Sequence, residues 1–182
     1  MISFRTQIRK DFLSYLQFYY SDHSNDYKWN EDINKTEILI ADRRPTKMIY
    51  PAIISVAGRF SRNLSIGDDY GEPRIDGTRD SHRTYNGNIY LKVFSSNEIE
   101  SDTIACNIED IFGNYGNLSS FIKNSEYINQ ISEIIINKTS ELKTEPMEYV
   151  TIVWFKIMSH FIRRYKLVDS SVIRTVNVTN ET

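Results

Sequence analysis

The N-terminal segment places apolar and polar side chains with the period of an α-helix. Apolar residues recur every three or four positions, and the positions between them are polar. The apolar stripe is made of Ile8, Phe12, Tyr15, Leu16 and Tyr19. The pattern stops at the polar stretch that begins at Ser21. We therefore expect an amphipathic helix that buries this stripe against the rest of the chain.

The next patterns predict three β-strands. Residues 36–41 and 50–60 are short runs rich in β-branched and aromatic side chains. Pro51 fits only the beginning or an edge of the second run, and Gly58 in its later half indicates a bulge. In residues 88–95 the apolar side chains alternate between two faces, as in a strand. The second and third runs are expected to pair as a long-looped hairpin.

A second helix is expected directly after the third strand. Either Ser95 with Glu98 or Asn97 with Glu100 fits a capping box, and the acidic residues suit the positive end of a helix. The predicted buried face consists of Ile99, Thr103, Ile104, Ile108, Ile111 and Phe112. A shorter helical turn is expected at residues 118–123.

The last third of the chain holds two strongly apolar segments, residues 128–138 and 148–166. The second segment has apolar residues at helical spacing, but it also opens with a dense run of β-branched and aromatic side chains, which favours a strand. We predict two long antiparallel strands joined through residues 139–146, with helices as the alternative. A short strand at residues 172–178 is a further possibility near the C-terminus.

These elements follow the order α-β-β-β-α-β-β, which is typical of the α+β class. We expect a mostly antiparallel sheet with two helices on one face and a long strand-connecting loop. The length of 182 residues suits one domain, which we assign to residues 1–168, followed by a C-terminal tail at residues 169–182. A chain of this length buries about 70% of its unfolded surface, so folding requires neither a metal nor a disulfide.

Composition narrows the function classes. The formal net charge of −2 lacks the basic excess of most nucleic-acid-binding proteins. Cys106 is the single cysteine, so no intramolecular disulfide can form, and we expect its thiol to be buried in the second helix. The charged N-terminal segment does not fit a signal peptide, and no window approaches the roughly 18 apolar residues of a membrane span.

The sequence also lacks the common catalytic motifs. It contains no phosphate-binding loop, no dinucleotide-binding glycine pattern and no nucleophile elbow. His23, His82 and His160 lie in separate segments, and no two of them have the spacing of metal ligands. We predict that the protein is not an enzyme and uses no catalytic residues, cofactor or metal.

A polar segment at residues 64–86 shows no apolar periodicity and is predicted to be a long loop. Its carboxylates offer an alternative interpretation as a site for a hard cation such as Mg²⁺ or Ca²⁺. Interleaved arginines nearly neutralise these acids, which favours a loop that becomes ordered against a neighbouring subunit. The acidic residues are Asp68, Asp69, Glu72, Asp76 and Asp80. The predicted contact residues of the chain are Arg43, Arg44, Asp68, Asp69, Arg74 and Arg79.

Taken in order, these elements resemble the tail-terminator and neck (head–tail joining) proteins of tailed bacteriophages. The likeness rests on the N-terminal helix, the strand YPAIISVAGRF, the polar loop and the strand-to-helix block NGNIYLKVFSSNEIESDTIACNIEDIFG. The strand EYVTIVWFKIM completes it, so the resemblance covers most of residues 1–165 in the order and character of the elements.

The resemblance implies a structural virion protein that forms a homo-hexameric ring without catalytic residues. The implied partners are tail-tube or sheath proteins and head-connector proteins, with DNA only passing through the lumen and no membrane. It also implies a location in the virion neck or tail after assembly in the host cytoplasm. The alternatives are another phage connector or baseplate protein, a non-catalytic binding adaptor unrelated to virions, a metal-dependent hydrolase that uses the acidic loop, and a toxin–antitoxin or immunity-type protein.

Overall fold

The computed structural model describes residues 4–22, 27–46, 48–62, 69–70, 78–125, 127–139 and 148–166. Within these ranges the chain forms three helices and six strands. The helices are α1 (Phe4–Asp22), α2 (Glu98–Gly113) and α3 (Tyr115–Asn124). The strands are β1 (Leu39–Ala41), β2 (Ala52–Arg62), β3 (Asp69–Tyr70), β4 (Thr78–Ser95), β5 (Ile128–Thr139) and β6 (Tyr149–Lys166).

The strands form one sheet in the order β1-β2-β4-β6-β5, and the short β3 pairs with β4 beside this path. β1 runs parallel to β2, whereas the other pairings of the described strands are antiparallel. The predicted hairpin is present, since β2 pairs with β4 with Val56 opposite Tyr90. The α+β class and the mostly antiparallel sheet are therefore confirmed.

The longest pairing joins β4 and β6 at the centre of the sheet. It runs without a register shift from Thr78 opposite Lys166 to Ser95 opposite Tyr149. β5 then covers the other edge of β6. The strand prediction for the last third is correct and the helical alternative is wrong, because β-branched and aromatic side chains fit a sheet face that is buried on one side.

All three helices pack on one face of this sheet. The core joins helical residues to alternate residues of the strands, including Leu91 of β4 and Phe155 of β6. At its centre four phenylalanine rings from four elements meet with centroid separations of 4.8–5.1 Å, a distance that suits aromatic pairs. These rings belong to Phe12, Phe112, Phe121 and Phe155.

The N-terminal helix follows the predicted stripe with one change. Ile8, Phe12 and Leu16 are buried as expected, but Tyr15 and Tyr19 are only half-buried. The core instead takes two other α1 residues, Leu13 and Tyr20. The amphipathic tyrosines therefore lie at the border of the stripe, where the Tyr15 hydroxyl donates to the Asn117 carbonyl oxygen at 3.0 Å.

The predicted loop at residues 64–86 is wrong over its second half. Residues 78–86 belong to β4, and residues 69–70 form β3. The lack of apolar periodicity suggested a loop, but pairing with β6 supplies the strand with its hydrogen bonds without requiring a buried face. Residues 63–68 and 71–77 lie outside the described part of the chain.

The prediction for α2 needs correction at its exposed side. Asn97 is the N-cap, and its side chain accepts a hydrogen bond from the Ile99 amide at 2.9 Å. Ile99 is 75% exposed, and Thr103 and Cys106 are exposed as well. The 3.6-residue period explains this, because the helix turns its Ile104–Ile108 side toward the core and thereby turns these residues outward.

A third helix extends the predicted short turn. α3 begins after Asn114, whose side-chain oxygen accepts from the Gly116 amide at 3.0 Å and so caps the helix. No helix among the described residues is long and apolar enough to cross a membrane. The predicted connection at residues 139–146 lies mostly outside the described residues, and the predicted tail at 169–182 and short strand at 172–178 lie wholly outside them.

Among the described residues, the opposite face of the sheet is covered at one end. There the connection between β1 and β2 packs Met48 and Tyr50 over a small apolar cluster. The Tyr50–Pro51 peptide bond in this connection is cis. The buried members of the cluster are Ala52, Ile54, Phe94 and Val150.

Gly87 of β4 is required by the packing of a ring on the neighbouring strand. A Cβ atom at Gly87 would lie 2.2 Å from the ring of Phe60. Phe60 is itself buried and contacts Phe4 edge to face, with 5.6 Å between ring centroids. The glycine therefore makes room for the ring that attaches the start of α1 to the sheet.

We predict that Gly87→Ala lowers the free energy of unfolding by about 1–3 kcal/mol because the added methyl group overpacks this contact. Chemical denaturation measures the change. Gly113→Ala is the matched control, since a Cβ there would meet nothing within 4 Å, and we expect it to be neutral or slightly stabilising. In a Phe60→Ala background the cost of Gly87→Ala should largely disappear; an undiminished cost would contradict the explanation.

Candidate functional site

The structure brings together only part of the predicted contact residues. Arg43 and Arg44 lie side by side just after β1. Asp69 is in β3 and Arg79 is in β4 opposite Tyr165. The remaining two residues, Asp68 and Arg74, lie outside the described part of the chain. Lys92 of β4 lies near the arginine pair. Along β4 it is about 40 Å from Arg79, at roughly 3.3 Å per residue. The four predicted residues that the structure describes therefore belong to two distant regions.

The arginine pair lines a cleft of about 440 Å³ at the β1–β2 edge of the sheet. Its rim carries four cationic side chains, and its floor is apolar. The cations are Arg9, Arg43, Arg44 and Lys92, with Asp42 as the one acidic lining residue. The floor consists of Ile54, Val56 and Phe94. We call this feature the cationic cleft.

The cationic cleft exists because β1 is much shorter than β2. The two strands pair only as far as Ala41 opposite Ile54, after which the chain leaves the sheet. Arg9 of α1 reaches into the gap and donates from Nη2 to the Ser55 carbonyl oxygen at 2.9 Å and also to the Asp42 carbonyl oxygen. One guanidinium thus satisfies carbonyl groups at the point where the strands separate.

One wall of the cleft is fixed by a buried carboxylate. Glu148 is only 5% exposed, pairs with Arg44 and accepts a hydrogen bond from the Tyr50 hydroxyl. The Arg44 guanidinium carbon also lies 5.1 Å from the centroid of the Phe94 ring, within the range of a cation–π contact. Burial and the hydrogen bond to Glu148 raise the pKa of Tyr50 above its ordinary value, although the nearby Arg44 opposes this shift.

The remaining cations of the cleft are open to a ligand. Arg43 is exposed and Lys92 is half-buried, and within the described ranges neither forms an ion pair with the protein. Arg44 is already neutralised by Glu148, so the available positive charge comes mainly from Arg43, Lys92 and Arg9. The cleft is therefore a local cationic region on a chain of net charge −2.

The arrangement of these described residues is suited to binding an anionic group. Those residues include no cluster of three or more His, Cys, Asp or Glu side chains that would hold a metal ion. Most of the acidic segment that suggested a cation site for a metal-dependent hydrolase lies outside them. What the cleft offers is charge for an anionic group beside apolar surface.

Sequence reasoning missed several residues of the cleft. Arg9 was recognised only as a polar residue off the helical stripe, and the carbonyl groups that it binds are distant in sequence. Lys92 gave a usable signal, because strand alternation places it on the face opposite Leu91 and Val93. Glu148 gave no signal in the sequence, since its burial depends on the ion pair with Arg44 and on tertiary contact.

We predict that Tyr50→Phe lowers the free energy of unfolding by about 1–2 kcal/mol at neutral pH, through loss of a hydrogen bond to a charged group. The raised pKa of Tyr50 also makes this stabilisation depend on pH. The Tyr50 hydroxyl stabilises the fold fully below the tyrosine pKa of the unfolded state, about 10, and this stabilisation is lost as pH rises through the pKa of the folded state. Denaturation of both proteins between pH 7 and 11 should show the difference shrinking at the alkaline end.

Tyr115→Phe is the control for this series, because Tyr115 is 85% exposed. The pKa of Tyr15, which burial and the nearby Tyr19 also raise, affects both proteins equally and cancels in the difference. A gap between wild type and Tyr50→Phe that stays constant across the pH range would show that Tyr50 does not titrate as described.

Comparison with known proteins adds no relative from which a role could be transferred. No protein-family model matches the chain, and no curated protein is significantly similar to it.

Proposed function

We propose that the protein is a structural assembly subunit whose copies join into a closed ring. The observation that carries this proposal is the β4–β6 pairing, which continues well past the rest of the sheet. Together with the resemblance described above, it favours a tail-terminator or neck protein that joins a tail tube to a head connector.

The neighbouring strands stop before β4 and β6 do. The β2–β4 pairing ends with Arg62 opposite Tyr85, and the β5–β6 pairing ends with Ile128 opposite Ser159. Beyond these points, residues 78–83 of β4 and 161–166 of β6 continue to pair with each other. This ribbon, which we call the arm, extends by about 20 Å at roughly 3.3 Å per residue.

A two-stranded ribbon in water is marginally stable by itself. Of the described strands, only the two-residue β3 lies beside the arm, where Asp69 is opposite His82. Apart from β3, no described strand pairs with the arm's outer backbone groups, so within the described residues they resemble the groups of an exposed strand edge. Docking of the arm on a neighbouring copy would satisfy these groups and stabilise the ribbon.

Such a contact produces a ring when it repeats with a closing rotation. The arm and the surface that receives it are different parts of the subunit, so the contact is heterologous and each copy has two neighbours. The resemblance supplies the stoichiometry of six, the tail-tube or sheath and head-connector partners, and the virion as the location. A chain of net charge −2 forms few ion pairs with phosphates, which suits a lumen through which DNA only passes.

A second candidate is a non-catalytic adaptor that acts as a monomer. The cationic cleft favours it, because an apolar floor with a charged rim can hold a partner without self-association. The two proposals differ in the mass of the free protein. An adaptor remains at the 21.4 kDa of the single chain, whereas a ring has a multiple of that mass.

We predict that mass photometry of the purified full-length chain shows a particle of about six times the chain mass, with rings visible in negative-stain electron microscopy. Ser81→Pro should convert this particle to monomer, because proline removes a backbone donor in the middle of the arm, where Ser81 is opposite Arg163. The thermal unfolding of the monomer should change little, since the substitution lies beyond the helix-covered core.

Ser81→Ala is the matched control and should assemble like the wild type. A wild-type chain that is monomeric at every concentration, both alone and with a tail-tube protein, would contradict the ring. An assembled Ser81→Pro particle would show instead that the arm is not the assembling element.

A further inference from the structure

We infer that the cationic cleft binds an acidic, extended peptide segment of a second protein, which adds as a strand to the open edge of β2. This site is separate from the arm and does not depend on ring formation. Three features of the described residues carry the inference: an uncovered strand edge, unpaired cations beside it and an apolar floor between them.

The strand edge becomes available where β1 ends. β1 pairs with β2 only as far as Ile54, and within the described residues no strand pairs with the outer edge of β2 from Ser55 onward. The Ser55 carbonyl oxygen lies on this outer side, where Arg9 already donates to it at 2.9 Å, so an added strand would pair with the groups that follow it. The two-residue period of a strand then directs the backbone groups of Ala57 to the same open side.

The cations lie where a peptide on this edge would pass. Arg43 lies two residues after the end of β1, and Lys92 belongs to the strand next to β2, where it is opposite Ile54. Within the described ranges both lack ion-pair partners, so they can bind carboxylates without breaking an internal contact. Charge complementarity therefore selects an acidic segment.

The floor of the cleft favours a peptide over a nucleic acid. Ile54 and Phe94 are almost fully buried, and Val56 is 38% exposed. The exposed part of the floor is thus aliphatic, whereas single-stranded nucleic acids require open aromatic faces on which bases stack. Aliphatic surface next to a free strand edge is the setting for strand addition, in which backbone hydrogen bonds supply affinity and side-chain pockets supply specificity.

The experiment uses the full-length protein and a fluorescently labelled ten-residue peptide of glutamate and valine. Fluorescence anisotropy should show binding that weakens as salt is raised, because added ions screen the charge pairs. A lysine–valine peptide of the same pattern should not bind. The double variant Arg43→Glu, Lys92→Glu should bind the acidic peptide with an affinity at least tenfold lower than that of the wild type. The control is Lys123→Glu on α3, which is exposed and lies outside the cleft, and it should leave the affinity unchanged.

Two further measurements distinguish the possible outcomes. Strand addition is tested with two peptides, one methylated on the odd-numbered backbone nitrogens and the other on the even-numbered ones. Alternate N–H groups of a strand point to opposite edges, so one of these peptides should lose binding and the other should retain it. Equal binding of both would overturn the added strand, and unchanged affinity of the double variant would overturn the cleft as the site. A single-stranded oligonucleotide is also added in competition with the acidic peptide. If it binds more tightly than the peptide and displaces it, the ligand of the cleft is a nucleic acid and the proposed peptide is wrong.

Discussion

The structure depends on the pairing of β4 with β6. These two strands are the longest elements of the sheet and pair along their entire lengths, from Thr78 opposite Lys166 to Ser95 opposite Tyr149. β2 and β5 attach to their outer edges, and the three helices pack on the alternate residues that point to one face. An unbroken ladder of this length gives every other element its position, because the register of each added strand follows from it.

The same pairing explains why the two candidate contact regions are far apart. At one end of β4, Phe94 packs in the small apolar cluster on the face opposite the helices, and the short β1 leaves the cationic cleft open beside it. At the other end the ladder continues beyond β2 and β5 and becomes the arm. A subunit with separate contact surfaces at its two ends is suited to assemblies in which each copy has more than one neighbour.

Periodicity and propensity predicted most of the fold because they report local preferences that the tertiary structure keeps. The paired strands of the last third followed from their β-branched residues, and the N-cap of α2 followed from the polar residues around Asn97. The errors arose where tertiary contact decides. β4 begins ten residues before its alternating pattern does, because β6 pairs with Thr78 and the residues after it regardless of their polarity.

The candidate site was only partly predictable for the same reason. Arg43 and Arg44 are visible in the sequence as a basic pair, but Arg9, Tyr50, Lys92 and Glu148 join them only through folding. The sequence indicates that the first strand ends at residue 41 and is shorter than the second, but it does not show the register in which β1 joins β2, and this register leaves the cleft open. Exposure on α2 was misjudged because Ile99 and Cys106 resemble core residues, although the helix phase turns both of them outward.

Hydrogen–deuterium exchange measured against protein concentration tests the central claim most directly. Amides of the arm, residues 78–83 and 161–166, should exchange quickly in dilute monomer and become protected as the chain assembles, because a neighbour then covers the ribbon. Amides of β4 from Ile89 to Ser95 serve as an internal reference and should stay protected throughout. Arm amides that are equally protected in the dilute monomer would show that the ribbon is stable without a neighbour, and would contradict the account.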